Sequence, residues 1–152
     1  MNRLVRYAPF LLALSVITRL VWAFATPNGM TLVDLHVYVD GAAALLQGNL
    51  YEFTYAEKTP DFPLPFTYPP FAALVFFPLH YLPFTIVGVC WQLATMAAMF
   101  LLIRLAIGLV LDFRPDAVGS TTDWTRVAML WTALALWTEP VRTTLDYGQV
   151  NV

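Results

Sequence analysis

The chain reads as all-α: a polytopic membrane helical bundle of about four transmembrane helices, with one further helix in its first loop. Three observations lead there. Apolar residues make up 59% of the 152 positions and charged residues only 12%, against about 25% charged in a soluble globular domain. A water-soluble fold of this size has no way to hide so much apolar surface, so the bilayer is the expected solvent. The apolar residues also fall in runs of crossing length, separated by an acidic, proline-bearing stretch. Other classes drop out on the same figures. A net charge of -2 offers no basic face for nucleic acid, and 15% aromatic residues with low charge reverse the signature of disorder. The single cysteine, Cys90, rules out an internal disulfide or a cysteine-ligated metal and is expected as a small membrane-buried hydrophobe.

The first crossing is expected over about 7–25, close to the ~20 residues needed to span the hydrocarbon core. Its run is too long for a signal-peptide core and is interrupted by Arg19, so an uncleaved helix is the preferred reading. Arg3 and Arg6 precede it and no basic residue follows until Lys58. The positive-inside rule therefore places the N-terminus in the cytoplasm and the next loop outside. Arg19 must either snorkel to a headgroup or pair inside the bundle, because an unpaired guanidinium in hydrocarbon is costly.

The outer loop, 27–68, holds Asp34, Asp40, Glu52, Glu57 and Asp61 against one Lys58. A loop of that length between crossings tends to carry function. Leu35, Val39, Ala42 and Leu46 recur at helical spacing, predicting an amphipathic helix over about 34–47 lying along the outer membrane face. His36, Asp40 and Gln47 share a neighbouring flank, whereas Asp34 falls on the opposite flank with Tyr38 and Leu45. Gly48 and Asn49 stop the helix, and Pro60, Pro63 and Pro65 predict an irregular stretch over 50–67.

The second apolar region suits two crossings, over about 69–83 and 84–111. Pro69-Pro70 opens the first of them, and Pro78 and Pro83 keep it short or kinked. A fourth crossing is expected over about 125–138. Arg104, Arg114 and Arg126 near the 112–124 loop argue for an inside placement, against the crossing count that puts it outside. The count is kept. Val152 follows without a cap or tail, so the expectation is the front part of a longer bundle.

Soluble-enzyme signatures are missing: no phosphate-binding glycine loop, no nucleophile elbow and no zinc spacing. His80, beside a proline-flanked helix end, reads as an interfacial residue. Attention falls on Asp34 and Asp40, with His36 and Tyr38 beside them. Two readings of Asp34 stand. It caps the helix N-terminus, or it serves at the membrane–water boundary as a general base toward a hydroxyl acceptor while a lipid-borne donor arrives from the bilayer. Asp34 and Asp40 lie about a third of a turn apart, so only one of them is expected to be the base.

Four ordered segments add a resemblance. Asp34-Leu35-His36-Val37-Tyr38, then Gly48 to Tyr51, then Pro65-Phe66-Thr67-Tyr68-Pro69-Pro70-Phe71-Ala72-Ala73-Leu74, and last Gly148-Gln149-Val150-Asn151 resemble the N-terminal part of glycosyltransferase family 87. These are polyprenol-phosphate-mannose-dependent alpha-1,2-mannosyltransferases with the GT-C membrane fold. The resemblance implies a multi-pass plasma-membrane enzyme of inverting mechanism. It would move mannose from a polyprenyl-phosphate-mannose donor to a mannan, lipomannan or phosphatidylinositol mannoside acceptor, with no cofactor and no metal assigned. Asp34 matches the family's first-loop aspartate and would be the base. Tyr38, Tyr68, Gln149 and Asn151 match motif positions that would bind sugar, with an interfacial aromatic belt and helix-end polar residues as the plainer reading. Arg19 and Arg142 are candidates, by charge alone, for the cationic help a leaving phosphate needs. Family members continue with several more helices, which again implies a partial chain. The alternatives are a membrane binding or transport module, a structural membrane subunit and an inactive fragment. A transport path calls for charges at matched depth in several helices, whereas the ionisable residues here gather in one loop and at helix ends.

Overall fold

Two long apolar runs become the two longest helices of the computed structural model, which describes residues 3–26, 31–112 and 121–150. A short α1 (Arg3–Arg6) leads into α2 (Ala8–Ala25). Pro9 sits in the first turn of α2, where its missing N–H removes no intrahelical bond. The 18 residues of α2 span about 27 Å, close to the roughly 30 Å of hydrocarbon. Ala8, Ser15, Arg19 and Ala23 form its buried stripe, while Phe10, Leu14, Ile17 and Val21 point away from the protein.

Next comes α3 (Val33–Ala44), extended by a 3-10 turn over Leu45–Gln47 and stopped at Gly48 in the left-handed conformation, as its sequence predicts. Its surroundings differ from the expectation of an interfacial amphipathic helix. Leu35, Val39 and Ala42 of the expected apolar stripe are buried, but so are Val37, Tyr38, Gly41 and Ala44 on other faces. Leu46, the fourth stripe member, is exposed. The helix is sheathed by protein on most of its circumference because the following segments wrap it.

One of those segments is the proline-bearing stretch expected to be irregular. It forms a minimal antiparallel ladder, β1 (Thr54–Tyr55) with β2 (Leu64–Pro65), with Thr54 opposite Pro65 and Tyr55 opposite Leu64. A two-strand edge tolerates a proline whose missing donor faces away from the ladder. The expected crossing over 69–83 is realised as α4 (Pro70–Phe76) and a 3-10 turn over Phe77–Tyr81. Together they reach about 20 Å, short of the hydrocarbon thickness. Pro78 forces the tighter turn and Pro83 separates it from the next helix.

That next helix, α5 (Phe84–Asp112), is the longest, with 29 residues. Helix α6 (Thr121–Ala135) follows and lies between α2 and α5. Ser15 is a polar tie between α2 and the end of α6. Its hydroxyl donates to the Ala133 carbonyl at 2.8 Å and accepts from Trp137 Nε1 at 2.9 Å, the kind of interhelical bond that holds helices where water is scarce. Last is α7 (Glu139–Tyr147), a helix not foreseen from the sequence. Pro140 in its first turn and Gly148 at its end, in the left-handed conformation, are its start and stop signals. Among the described residues, two helices, α2 and α5, reach spanning length and hydropathy; α4 with its 3-10 turn and α6 are shorter.

Candidate active site

The core gathers on α3. Leu32, Leu35, Tyr38, Val39 and Ala42 are buried against Leu50, Tyr55, Phe66, Phe76 and Val87 from the ladder region, α4 and α5. Within this cluster Tyr38 is 2% exposed and at the meeting point of three motif segments. Its hydroxyl is 2.9 Å from that of Tyr68, and the two rings meet edge to face at 4.9 Å. Phe76 stacks on the other side of Tyr38 at 5.0 Å. The Val150 backbone, just after Gly148-Gln149, approaches the same hydroxyl and works to lower its pKa. Burial first, then the Tyr68 hydroxyl and the Asp34 carboxylate, push the Tyr38 pKa well above its ordinary value. Tyr38 is thus a neutral donor and acceptor at any physiological pH.

Asp34 is one helical turn before Tyr38 on the same face. It occupies the second helical position, half-buried, in the first turn of α3, where the helix dipole favours a carboxylate. The capping alternative does not hold: the residue before the helix is Leu32, and no side-chain bond caps it. Among the described residues no side-chain hydrogen bond or ion pair engages the Asp34 carboxylate. Asp40 has a different assignment, its Oδ2 being 3.3 Å from His36 Nδ1. The His36 ring lies between Phe84 at 3.6 Å and Tyr55 at 4.9 Å. The expected flank of His36 and Asp40 is a real contact, away from Tyr38, with Gln47 exposed at the end of the 3-10 turn.

The remaining candidates divide. Tyr68 is half-buried beside Tyr38, and its carbonyl accepts from the Tyr51 hydroxyl at 3.3 Å. The Gly48-to-Tyr51 segment, with Glu52 and Pro70, lines a separate open cavity of 310 Å³. Gln149 follows α7, its N–H bonded to the Thr144 carbonyl at 3.0 Å; Asn151 lies outside the described residues. Arg19 is 1% exposed and bonded through Nη2 to the Asp146 carboxylate. Of the two fates open to it, pairing is the one observed, so it is not exposed to a phosphate. Arg142 remains accessible, 53% exposed, with Nε 4.0 Å from Asp146 Oδ2. A transport path built on Arg19 loses its cation to the same pair. Cys90 faces away from the protein on α5. Among the described residues no three His, Cys, Asp or Glu side chains converge as a metal site would.

Two residues that matter here escaped the sequence reading. Asp146 takes Arg19, and Gln92, fully buried on α5, donates from Nε2 to the Leu145 carbonyl. The only prior signal for Asp146 was its place four residues after Arg142 and just ahead of Gly148-Gln149.

A helical membrane-type protein with one carboxylate and a tyrosine pair at the junction of its loop helix and last helix is the class that fold and site define. The chain belongs to glycosyltransferase family 87, whose family model matches residues 66–152. It is 54% identical over 151 residues to the polyprenol-phosphate-mannose-dependent alpha-(1-2)-phosphatidylinositol pentamannoside mannosyltransferase of Mycolicibacterium smegmatis, covering 99% of this chain and 35% of that protein. The protein of the same name from Mycobacterium tuberculosis is 53% identical over 149 residues, 97% of this chain and 33% of its own length. A phosphatidylinositol mannoside mannosyltransferase of Mycolicibacterium smegmatis, likewise named as dependent on polyprenol-phosphate-mannose, is 29% identical over 126 residues, 79% of this chain and 29% of its own length. The chain therefore spans about a third of the length of the curated relatives it matches. No solved structure matches it.

Proposed function

We propose that this chain carries the acceptor-activating part of a GT-C-type membrane mannosyltransferase. That enzyme transfers mannose from polyprenyl-phosphate-mannose to a phosphatidylinositol mannoside or related mannan acceptor in alpha-1,2 linkage. The observation that carries the reading is the convergence on α3: Asp34 one turn from Tyr38, with Tyr68 and Val150 brought to the same hydroxyl from segments 30 and more than 100 residues further along the chain. The names of the relatives supply the donor and acceptor class.

In this mechanism the Asp34 carboxylate takes the proton of an acceptor hydroxyl. The resulting oxygen attacks the anomeric carbon of the donor mannose from the face opposite the phosphate. The bond between that carbon and the phosphate oxygen breaks, and polyprenyl phosphate leaves with the electron pair. Inversion at carbon follows from the single in-line displacement. In this reading Arg142, the exposed cation of α7, offsets the charge of the leaving phosphate. The tyrosine pair offers a ring face and hydroxyls to the sugar.

The membrane placement follows the charge pattern. Arg3 and Arg6 hold the N-terminus in the cytoplasm and α3 lies on the outer side of the plasma membrane. In this arrangement α2 and α5 cross fully, and α4 with its 3-10 turn and α6 complete the four-helix count as shorter, partly inserted elements.

The test is transfer of labelled mannose from a polyprenyl-phosphate donor by membranes carrying the protein with Asp34→Asn. The expected loss is about 10²- to 10⁴-fold at unchanged membrane content, the range of one general base. Wild-type transfer by that variant overturns the assignment.

A further inference from the structure

Asp146 and its neighbours tie the end of α7 both to α2 and to the segment that launches α3. The Asp146 carboxylate holds the buried Arg19 of α2. Its backbone carbonyl accepts the N–H of Thr31 at 3.1 Å and of Leu32 at 2.9 Å, and lies 3.4 Å from the Thr31 hydroxyl. Two residues on, Gly148 packs so closely against Leu32 and Leu35 that a Cβ there would come within 2.8 Å of the Leu35 Cβ. The preceding carbonyl, that of Leu145, is taken by the buried Gln92.

What is held is a strained piece of backbone. Leu32 has φ 49°, the one non-glycine residue with positive φ among the described residues. A side chain there is disfavoured and persists only where its surroundings over-determine it. Leu32 immediately precedes α3, two residues before Asp34, and so sets the direction in which the first turn, with its carboxylate, leaves the loop. The Leu32 carbonyl receives the His36 N–H at 2.9 Å, which carries that direction into the helix.

We propose that Asp146, clamped by Arg19, is a positioning residue that holds the strained turn at Leu32 and thereby aims the Asp34 carboxylate at the acceptor hydroxyl. Arg19 is thus a structural anchor reaching the reaction through Asp146 and Leu32, rather than a phosphate ligand. The inference rests on the reading of Asp34 as base. Misplacing a catalytic group by about 1 Å costs up to roughly 10²-fold in rate, so the signature belongs to turnover and not to donor binding.

The experiment uses membranes carrying the protein, with Asp146→Asn, which keeps the side chain's shape, in preference to Asp146→Ala. The expected result is a kcat about 10- to 100-fold lower with the donor KM within about twofold of wild type. Arg19→Lys, which keeps a cation for the pair, loses less than Arg19→Met. Combined with Asp34→Glu, which already displaces the carboxylate, Asp146→Asn costs less than the product of the two single losses. Unchanged kcat, a loss confined to donor KM, or fully multiplicative losses overturn the proposal. Asp34→Asn, assayed alone, reports separately on the base assignment. Its inactivity beside a fully active Asp146→Asn sinks only the positioning role.

Discussion

Helices α3 and α5 are both rich in apolar residues, yet they use them in opposite ways. Around α3 the apolar side chains meet one another: Leu35 and Ala42 are fully enclosed, and the cluster draws on the ladder, α4 and α5. Along the second half of α5, Leu101, Leu102, Leu105, Leu109 and Val110 are each more than half exposed. Burial inside protein locks rotamers and fixes distances, which a catalytic constellation needs. An outward apolar face asks only for a medium without water. The candidate site therefore sits where packing is dense, beside the two helices long and apolar enough to span a membrane and not along them.

The contrast is sharpest for matched leucine truncations, read as unfolding free energies in detergent. Leu35→Ala opens a cavity at the centre of the α3 cluster and is expected to cost about 2–5 kcal/mol. Leu105→Ala, on the outer face of α5, is expected to stay within about 0.5 kcal/mol. Equal costs would mean that α5 is as tightly packed as α3. A smaller effect is expected for Gly148→Ala, about 1–3 kcal/mol, because its φ of 71° strains any side chain and the new methyl meets Leu35 and Leu32. Since that contact joins α7 to α3, proteolytic protection of the 31–44 segment should fall with it; unaltered protection would show that the two regions are not coupled there.

The smallest effect is a dependence on pH. Tyr38 keeps its proton in the folded state far above the value at which an unfolded tyrosine, with a pKa of about 10, loses it. The unfolded chain then binds fewer protons than the folded one, so stability is full below about pH 10 and falls as pH rises beyond it. Tyr38→Phe should flatten this alkaline limb while losing about 1 kcal/mol at neutral pH, the net worth of one hydrogen bond. An unaltered limb in that variant would assign it to another tyrosine, Tyr55 being the next candidate, since burial and then Glu57 and Asp40 raise its pKa as well.

Much of the helical layout was legible beforehand. The bounds of α2 and α5 follow the apolar runs to within a residue or so, and Gly48 stops α3 where its conformational freedom suggested. Asp34, Tyr38 and Tyr68 are legible in the sequence through their motif segments alone. The misses share a cause. A β ladder of two residues per strand has too little periodicity to announce itself, and α7 is too polar to stand out beside apolar crossings. An amphipathic stripe predicted for α3 gave way to burial on several faces, because one-dimensional spacing counts apolar residues without knowing what will wrap them.

Composition and helical period were enough to establish a mostly helical protein with two apolar runs of crossing length, since hydropathy and the 3.6-residue repeat are local properties of the chain. The partner of Arg19 was beyond their reach. That arginine could have snorkelled, bound a phosphate or paired, and all three satisfy the same local physics. Only the folding of α7 against α2 and α3, which brings residues 19 and 146 together across most of the chain's length, selects the ion pair. The same approach places the Asp146 carbonyl over the turn at Leu32. Buried charges and strained turns take their meaning from distant partners, and distant partners are a property of the tertiary fold.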